Sequence, residues 1–174
     1  MQSMTRISAL ALCFLINAFL HAQQTAPAPV PAVIDPPAGA RLLLQLKGIG
    51  TQVYLCAVKA EQAAWQFKGP SAKLLDASNQ PVGTHFAGPT WHLNDGSEVQ
   101  GKLIGSKPSP DTGSIPWLLL SASVHTGSGK LTPVDFIQRT DTKGGAMPST
   151  GCDARHAGTL SRVPYTATYT FYAK

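Results

Sequence analysis

Short apolar runs separated by turn residues dominate the chain from Arg41 onward. The segment VPYTATYTFYAK places aromatic residues and alanine on one alternating face and mostly threonine on the other. A period of two with such residues is typical of a half-buried strand. RLLLQLKG and TQVYLCAVK are two further runs, split by GIG, and the second is apolar on both faces, which favours a central strand.

Turn signals lie between the runs at fairly even spacing. ASNQPVG and the NDG of residues 94–96 are typical of hairpin turns, because glycine and asparagine tolerate positive φ. The 16 glycines and 14 prolines disfavour helices. The pattern therefore predicts an all-β fold over residues 41–174. We expect a single antiparallel β-sandwich or a partly closed β-barrel with long loops and little or no helix.

The first 22 residues have a different character. Arg6 precedes an apolar run over residues 7–20, and the small residue Ala22 follows. This arrangement predicts a signal peptide over residues 1–22, and export to the periplasm or the extracellular space. The run is shorter than the roughly 20 residues of a transmembrane helix, so an uncleaved anchor is the less favoured alternative. Cys13 lies within the apolar run and follows Leu12, which does not suit an acylation site.

Residues 23–40 form a segment rich in proline and alanine. Five prolines between Pro27 and Pro37 forbid a helix interior and favour an extended tether. We expect a poorly packed N-terminal arm; a spacer or a partner-docking strip is the functional alternative.

After removal of the signal peptide, the cysteines are Cys56 and Cys152. An even count in an exported chain indicates a disulfide, although two buried free thiols would give the same count. Cys152 lies in a long irregular stretch, residues 141–158. Stretches of this length without regular structure are usually functional or disordered, and a disulfide would favour an ordered one.

The segment HFAGPTWH, residues 85–92, combines two histidines, a glycine–proline turn and a tryptophan. We expect any ligand pocket to lie between this segment and residues 141–158. The tryptophans and tyrosines would line such a cleft or pack in the core. The candidate pocket residues are His85, Trp91, His92, Trp117, Lys143, Asp153 and His156.

Catalytic and metal signatures are weak. The four histidines after residue 22 (His85, His92, His125 and His156) have neither HxH nor HExxH spacing, and a zinc site needs at least three converging ligands. We therefore predict no metal and no cofactor. GxSxG is absent, and a cysteine nucleophile would require Cys152 to be a free thiolate. TKGG and TGSG could cradle an anion but are more simply turns.

The net charge of +5 is spread along the chain without a basic block, so no nucleic-acid partner is predicted. We expect a monomeric, non-catalytic module without a transmembrane anchor that binds a small molecule, a carbohydrate or an envelope partner. A metal-dependent or hydrolytic secreted enzyme and a purely structural cell-surface protein are the alternatives.

Six segments together resemble an exported family catalogued as domain of unknown function 3455. They are PPAGARLLLQLKGIGTQVYLC, HFAGPTW, DGSEVQGK, IPWLLL, IQRTDTKGGAMPSTGCD and VPYTATYTFY. The likeness runs from about Ile34 to Tyr172. It implies a secreted single-domain protein in which Cys56 and Cys152 match the cysteine pair of the family. The family has no established activity, so the resemblance implies no catalytic residues.

Overall fold

The computed structural model describes residues 33–60 and 62–174, so the predicted signal peptide and the first part of the arm lie outside the described residues. Within them the protein is all-β, as the sequence predicts. The strands are β1 (Arg41–Lys59), β2 (Gln62–Leu75), β3 (Pro81–Phe86), β4 (Thr90–Leu93), β5 (Glu98–Lys107), β6 (Trp117–Thr126), β7 (Phe136–Gly144) and β8 (Leu160–Ala173). The helical content described is one 3₁₀ turn, Ala154–His156.

Each strand pairs antiparallel with its neighbours in the chain, and β8 pairs with β1 to close the sheet into a barrel. The seam runs from Arg41 opposite Ala173 to Leu55 opposite Leu160. The sequence left open a sandwich or a partly closed barrel, and the structure has a closed ring. The asparagine and glycine turns fall where predicted, between β2 and β3 and between β4 and β5.

Strand β1 is one continuous strand through the GIG segment that separates its two apolar runs. A Cβ atom on Gly48 would lie 2.5 Å from a ring carbon of Tyr169, and one on Gly50 would lie 2.2 Å from the Ser71 carbonyl oxygen. Because glycine has no side chain, Gly48 leaves room for the Tyr169 ring and Gly50 allows the backbone of β2 to approach closely. The two glycines shape the barrel interior without ending the strand.

One end of the barrel is filled by aromatic side chains. Trp91 is buried there. The centroid of its ring lies 5.5 Å from that of Tyr169 and 6.1 Å from that of Phe171, both in edge-to-face geometry. Apolar side chains from every strand surround them, including Leu46, Leu74, Leu93, Val99, Leu120 and Ile137. The predicted alternation of β8 holds, because Tyr165, Ala167, Tyr169 and Phe171 all point inward.

The described part of the N-terminal arm is attached to the outside of the barrel. Ile34 is buried against Leu119 and Phe136, and its carbonyl oxygen accepts a hydrogen bond from Gln138 Nε2 at 2.9 Å. Ile34 is thus held by an apolar patch on β6 and β7, whereas Val33, Asp35 and residues 37–39 are exposed.

Candidate functional site

A cavity of about 430 Å³ lies at the end of the barrel opposite the aromatic cluster of Trp91, Tyr169 and Phe171, and it is open to solvent. Its walls are mainly apolar and come from β2, β5, β6 and the loops at this end. The large apolar side chains are Phe67, Leu103, Ile115, Leu118, Leu120 and Met147. Polar groups are few: Gln52, Tyr54, His85, Lys68 and Arg139. The lining therefore contains two cations and no carboxylate.

Arg139 is the half-buried cation of this cavity. It lies on β7 two residues after the buried Ile137, so both side chains face the interior. Its Nε and Nη2 donate to the Pro116 carbonyl oxygen at 3.1 and 2.7 Å, and the hydroxyls of Tyr169 and Tyr165 lie near the guanidinium. No described carboxylate lies within 4.0 Å of it. Burial lowers the pKa of Arg139, because the charged guanidinium is partly removed from water.

Gln52 and Tyr54 bring polar groups from β1 into the same cavity. Gln52 is 1 % exposed, and its Nε2 has no hydrogen-bond partner among the described residues. Leaving a buried donor unpaired costs about 1–3 kcal/mol. Tyr54 donates its hydroxyl hydrogen to the Gly145 carbonyl oxygen at 2.6 Å, and burial raises the pKa of Tyr54. Tyr54 is thus a neutral hydroxyl committed to the loop, whereas Gln52 has a free amide.

His85 forms the inner wall of the cavity. Its Nδ1 lies 2.7 Å from the Thr90 carbonyl oxygen, and a carbonyl only accepts, so Nδ1 carries the hydrogen. The ring stacks on Trp91 at a centroid distance of 4.4 Å. Burial lowers the pKa of His85 to about 3, so the imidazole is neutral near pH 7 and adds no charge to the cavity.

The loop after β7 forms part of the cavity rim and is fixed at several points. Cys152 is disulfide-bonded to Cys56, as predicted, across 96 positions of sequence. Trp65 Nε1 donates to the Thr150 carbonyl oxygen at 2.8 Å, and Met147 of this loop lines the cavity. The loop is ordered, as a disulfide would favour. The predicted irregular stretch, residues 141–158, overlaps the end of β7, because that strand continues to Gly144.

The cavity lies where residues 85–92 approach the loop after β7, since His85, Ala87, Gly88 and Pro89 line it together with Met147. Of the candidate pocket residues, His85 reaches the lining and Trp91 lies directly behind it in the core. His92 is outside the cavity lining and lies 3.5 Å from Glu98.

The other candidate residues are dispersed. Trp117 belongs to the outer cluster around Ile34, with Lys107 Nζ 5.1 Å from its ring centroid. Lys143 forms an ion pair with Asp111. Asp153 Oδ1 accepts from the backbone N–H groups of Arg155 and His156 at the 3₁₀ turn and lies 2.8 Å from His156 Nδ1. The Asp153 carboxylate and the His156 imidazole thus stabilise the 3₁₀ turn, which is exposed at the surface.

Sequence reasoning missed Gln52 and Arg139, whereas Tyr54 belongs to the tyrosines that were expected to line a cleft or pack in the core. A signal was present, because Arg139 and Gln52 are polar residues in phase with the inward faces of β7 and β1. In a half-buried strand, a long polar side chain in phase with apolar ones predicts either a buried network or a site.

Within the described ranges, no three His, Cys, Asp or Glu side chains converge in a way that could hold a metal ion. The same residues include no helix long and apolar enough to cross a membrane.

The fold and the cavity define a closed, eight-stranded antiparallel β-barrel with an apolar cavity and an arginine that has no acidic partner. Residues 37–173 match the family described as "Protein of unknown function (DUF3455)", and the chain belongs to that family. The resemblance found in the sequence is thereby confirmed. No curated protein and no solved structure matches the chain.

Proposed function

We propose that this protein is an exported, non-catalytic binding protein that holds a small molecule in the cavity at the open end of its barrel. The observation that carries the proposal is the cavity itself, with its apolar walls and few polar groups. Ligand sites typically measure about 300–1,000 Å³ and combine apolar walls with a few fixed polar groups. Barrels of eight strands leave an interior that side chains fill or that holds one small ligand.

A small molecule suits this cavity better than a carbohydrate. Sugar sites commonly offer an aromatic face for stacking. Trp91 is 1 % exposed behind His85, Trp117 is on the outside of the barrel, and Trp65 is bonded to the loop. None of the three tryptophans lines the cavity; the lining rings of Tyr54 and Phe67 pack on each other at a centroid distance of 5.6 Å.

The enzyme alternative has less support from the same residues. A general base near neutral pH needs a pKa close to 7, and burial lowers the pKa of His85 to about 3. The cavity lining contains no carboxylate and no thiol, and both cysteines after residue 22 are in the disulfide. Binding therefore requires the fewest additional assumptions.

Export is proposed on two grounds. The first is the charge and hydropathy pattern of residues 1–22. The second is the disulfide, because such bonds persist in oxidising compartments. We propose a periplasmic or extracellular monomer without a membrane anchor.

A fluorescence titration with N-phenyl-1-naphthylamine, a neutral apolar probe, tests the proposal. We expect an emission increase that saturates at one probe per chain. Ala87→Trp should weaken binding by at least about tenfold, because Ala87 is exposed at the cavity and an indole there would occupy its entrance.

The matched control is Ala77→Trp. Ala77 is also exposed but lies in the turn after β2, which does not line this cavity. A probe that does not bind, or that binds equally to both variants, would contradict the proposed site.

A further inference from the structure

We propose that the ligand of this cavity is a carboxylate with an apolar body, whose carboxylate group binds Arg139 and Gln52. This inference rests on the proposed function and specifies the chemistry of its ligand.

The charge of the cavity lining is the first argument. Arg139 and Lys68 line the cavity, and no Asp or Glu does. Charged groups that are removed from water are normally paired, because an unpaired buried charge carries a large desolvation cost. Arg139 has tyrosine hydroxyls and a carbonyl oxygen around it, but no described carboxylate within 4.0 Å. An anionic ligand would supply the missing partner.

The free hydrogens of the guanidinium are the second argument. A guanidinium has five N–H donors. The bonds to the Pro116 carbonyl oxygen use two of them, one on Nε and one on Nη2. The hydrogens of Nη1 and the second hydrogen of Nη2 are left, and a carboxylate accepts one hydrogen from each of two guanidinium nitrogens in a bidentate pair. The bonds already made hold the guanidinium in position before the ligand arrives.

Gln52 supplies an independent observation. Its side chain is almost fully buried, lines the cavity, and has an Nε2 without a partner in the described structure. Buried polar atoms are rarely left unpaired in native proteins. Nε2 is a donor only, so its partner must be an acceptor, as a carboxylate oxygen is. Arg139 and Gln52 therefore require the same kind of group.

The apolar walls specify the rest of the ligand. Leu103, Leu118, Leu120 and Ile115 line the same cavity as these donors. A small hydrophilic anion would leave this surface wet and gain no burial. An apolar body of aromatic or aliphatic carbon would be removed from water at about 25 cal/mol per Å².

The experiment compares 2-naphthoate with 2-naphthamide on the full exported chain by isothermal titration calorimetry. The two probes have the same apolar body and nearly the same shape, but only the first is an anion. A hydrogen bond to a charged partner contributes about 1.5–3 kcal/mol. We therefore expect 2-naphthoate to bind at least about tenfold more tightly than the amide.

Arg139→Met should remove this preference, so that 2-naphthoate and 2-naphthamide bind to the variant with affinities within about threefold of each other. Arg139→Lys should retain part of it, since a single ammonium replaces the planar fork. Arg41→Met is the matched control: it removes the same charge at the start of β1, eleven residues along the strand from Gln52, and should leave both affinities unchanged.

The outcomes separate the two proposals. Equal affinities for the two probes in the unmodified protein would overturn the carboxylate inference and leave the proposed binding function intact. If neither naphthalene probe nor the neutral fluorescent probe binds, the binding function fails and the inference fails with it. A preference that survives in Arg139→Met places the anion elsewhere and also overturns the inference. The comparison of 2-naphthoate with 2-naphthamide in the unmodified protein tests the carboxylate inference even if a variant does not fold.

Discussion

At the residue scale, His85 links the core to the cavity. One face of its imidazole stacks on Trp91, Nδ1 donates to Thr90, and the residue contributes to the cavity wall. The side chain is 2 % exposed, so protonation would place a charge in an apolar interior that already contains the Arg139 guanidinium. That cost makes the stability of the fold depend on pH.

Burial lowers the pKa of His85 from 6.5 to about 3. Between these values the unfolded chain binds a proton that the folded chain does not, so the free energy of unfolding falls as the pH falls. We expect a loss of about 2–3 kcal/mol between about pH 7 and about pH 4.5 from this residue. Urea unfolding at several pH values measures it. His85→Gln keeps a donor for Thr90 without titrating, and should flatten the profile in this window.

His156→Gln is the control for that comparison, because His156 is exposed at the 3₁₀ turn. Its profile should retain the fall in stability that is assigned to His85. The chosen window lies above the titration of Asp95, whose carboxylate accepts hydrogen bonds from Lys130 and Ser97 that lower its pKa to about 2. An unmodified protein whose stability is constant across the window would contradict the assignment of a neutral, buried His85.

At the element scale, the loop after β7 is held to β1 by more than the disulfide. The backbone N–H of Cys56 donates to the Thr159 carbonyl oxygen at 2.9 Å, and the N–H of Gly158 donates to the Cys56 carbonyl oxygen at 2.9 Å. The Tyr54 hydroxyl bonds Gly145 at the start of the loop. The rim of the cavity therefore depends on β1 at both ends of this loop.

Replacing both Cys56 and Cys152 by serine should lower the free energy of unfolding by about 2–5 kcal/mol, because the bond closes a long loop in the unfolded chain. Denaturant unfolding measures this loss. Hydrogen exchange should also accelerate at the Gly158 amide, with the amide of Gly101 in β5, which bonds Pro89, as the reference. Unchanged exchange at Gly158 would show that the backbone bonds alone hold the loop.

The elements themselves and the approximate place of the cavity were largely predictable from the sequence, whereas the polar residues that line it, Gln52 and Arg139, were not. Alternation in β8 predicts its inward face, because a period of two survives in any sheet with one buried side. The GIG segment was misleading, since glycine marks breaks in most strands, and here Gly48 and Gly50 make room for Tyr169 and a neighbouring strand. An unfilled space depends on which inward side chains meet across the barrel, and that register is not encoded locally.

At the scale of the whole molecule, the folded domain includes more than the residues of the barrel. The arm places Ile34 against the outer face of β6 and β7, and the Val33 carbonyl oxygen lies where a side chain on Gly105 would be. The proline-rich segment therefore has one packed contact, at Ile34, before its last two prolines. The segment before it, residues 1–22, has the pattern of a peptide that export removes.

We expect the intact mass of the protein recovered from the exported fraction to correspond to a chain that begins at Gln23 and lacks two hydrogens. The missing hydrogens would report the Cys56–Cys152 bond. Mass spectrometry of the same sample before and after reduction provides the control, since reduction should restore the two hydrogens. A full-length mass, or retention of the chain in the cytoplasm, would contradict the proposed export.

The seam between β1 and β8 has a consequence for how the chain matures. β1 pairs with β2, the next strand in the chain, but its other edge is matched by residues 160–173, which are synthesised after all the other strands. An uncovered strand edge invites pairing with other chains. Contacts between residues so far apart in sequence also form slowly. A nascent chain kept unfolded until translocation would bring both edges together in one compartment, where the disulfide could then secure the result.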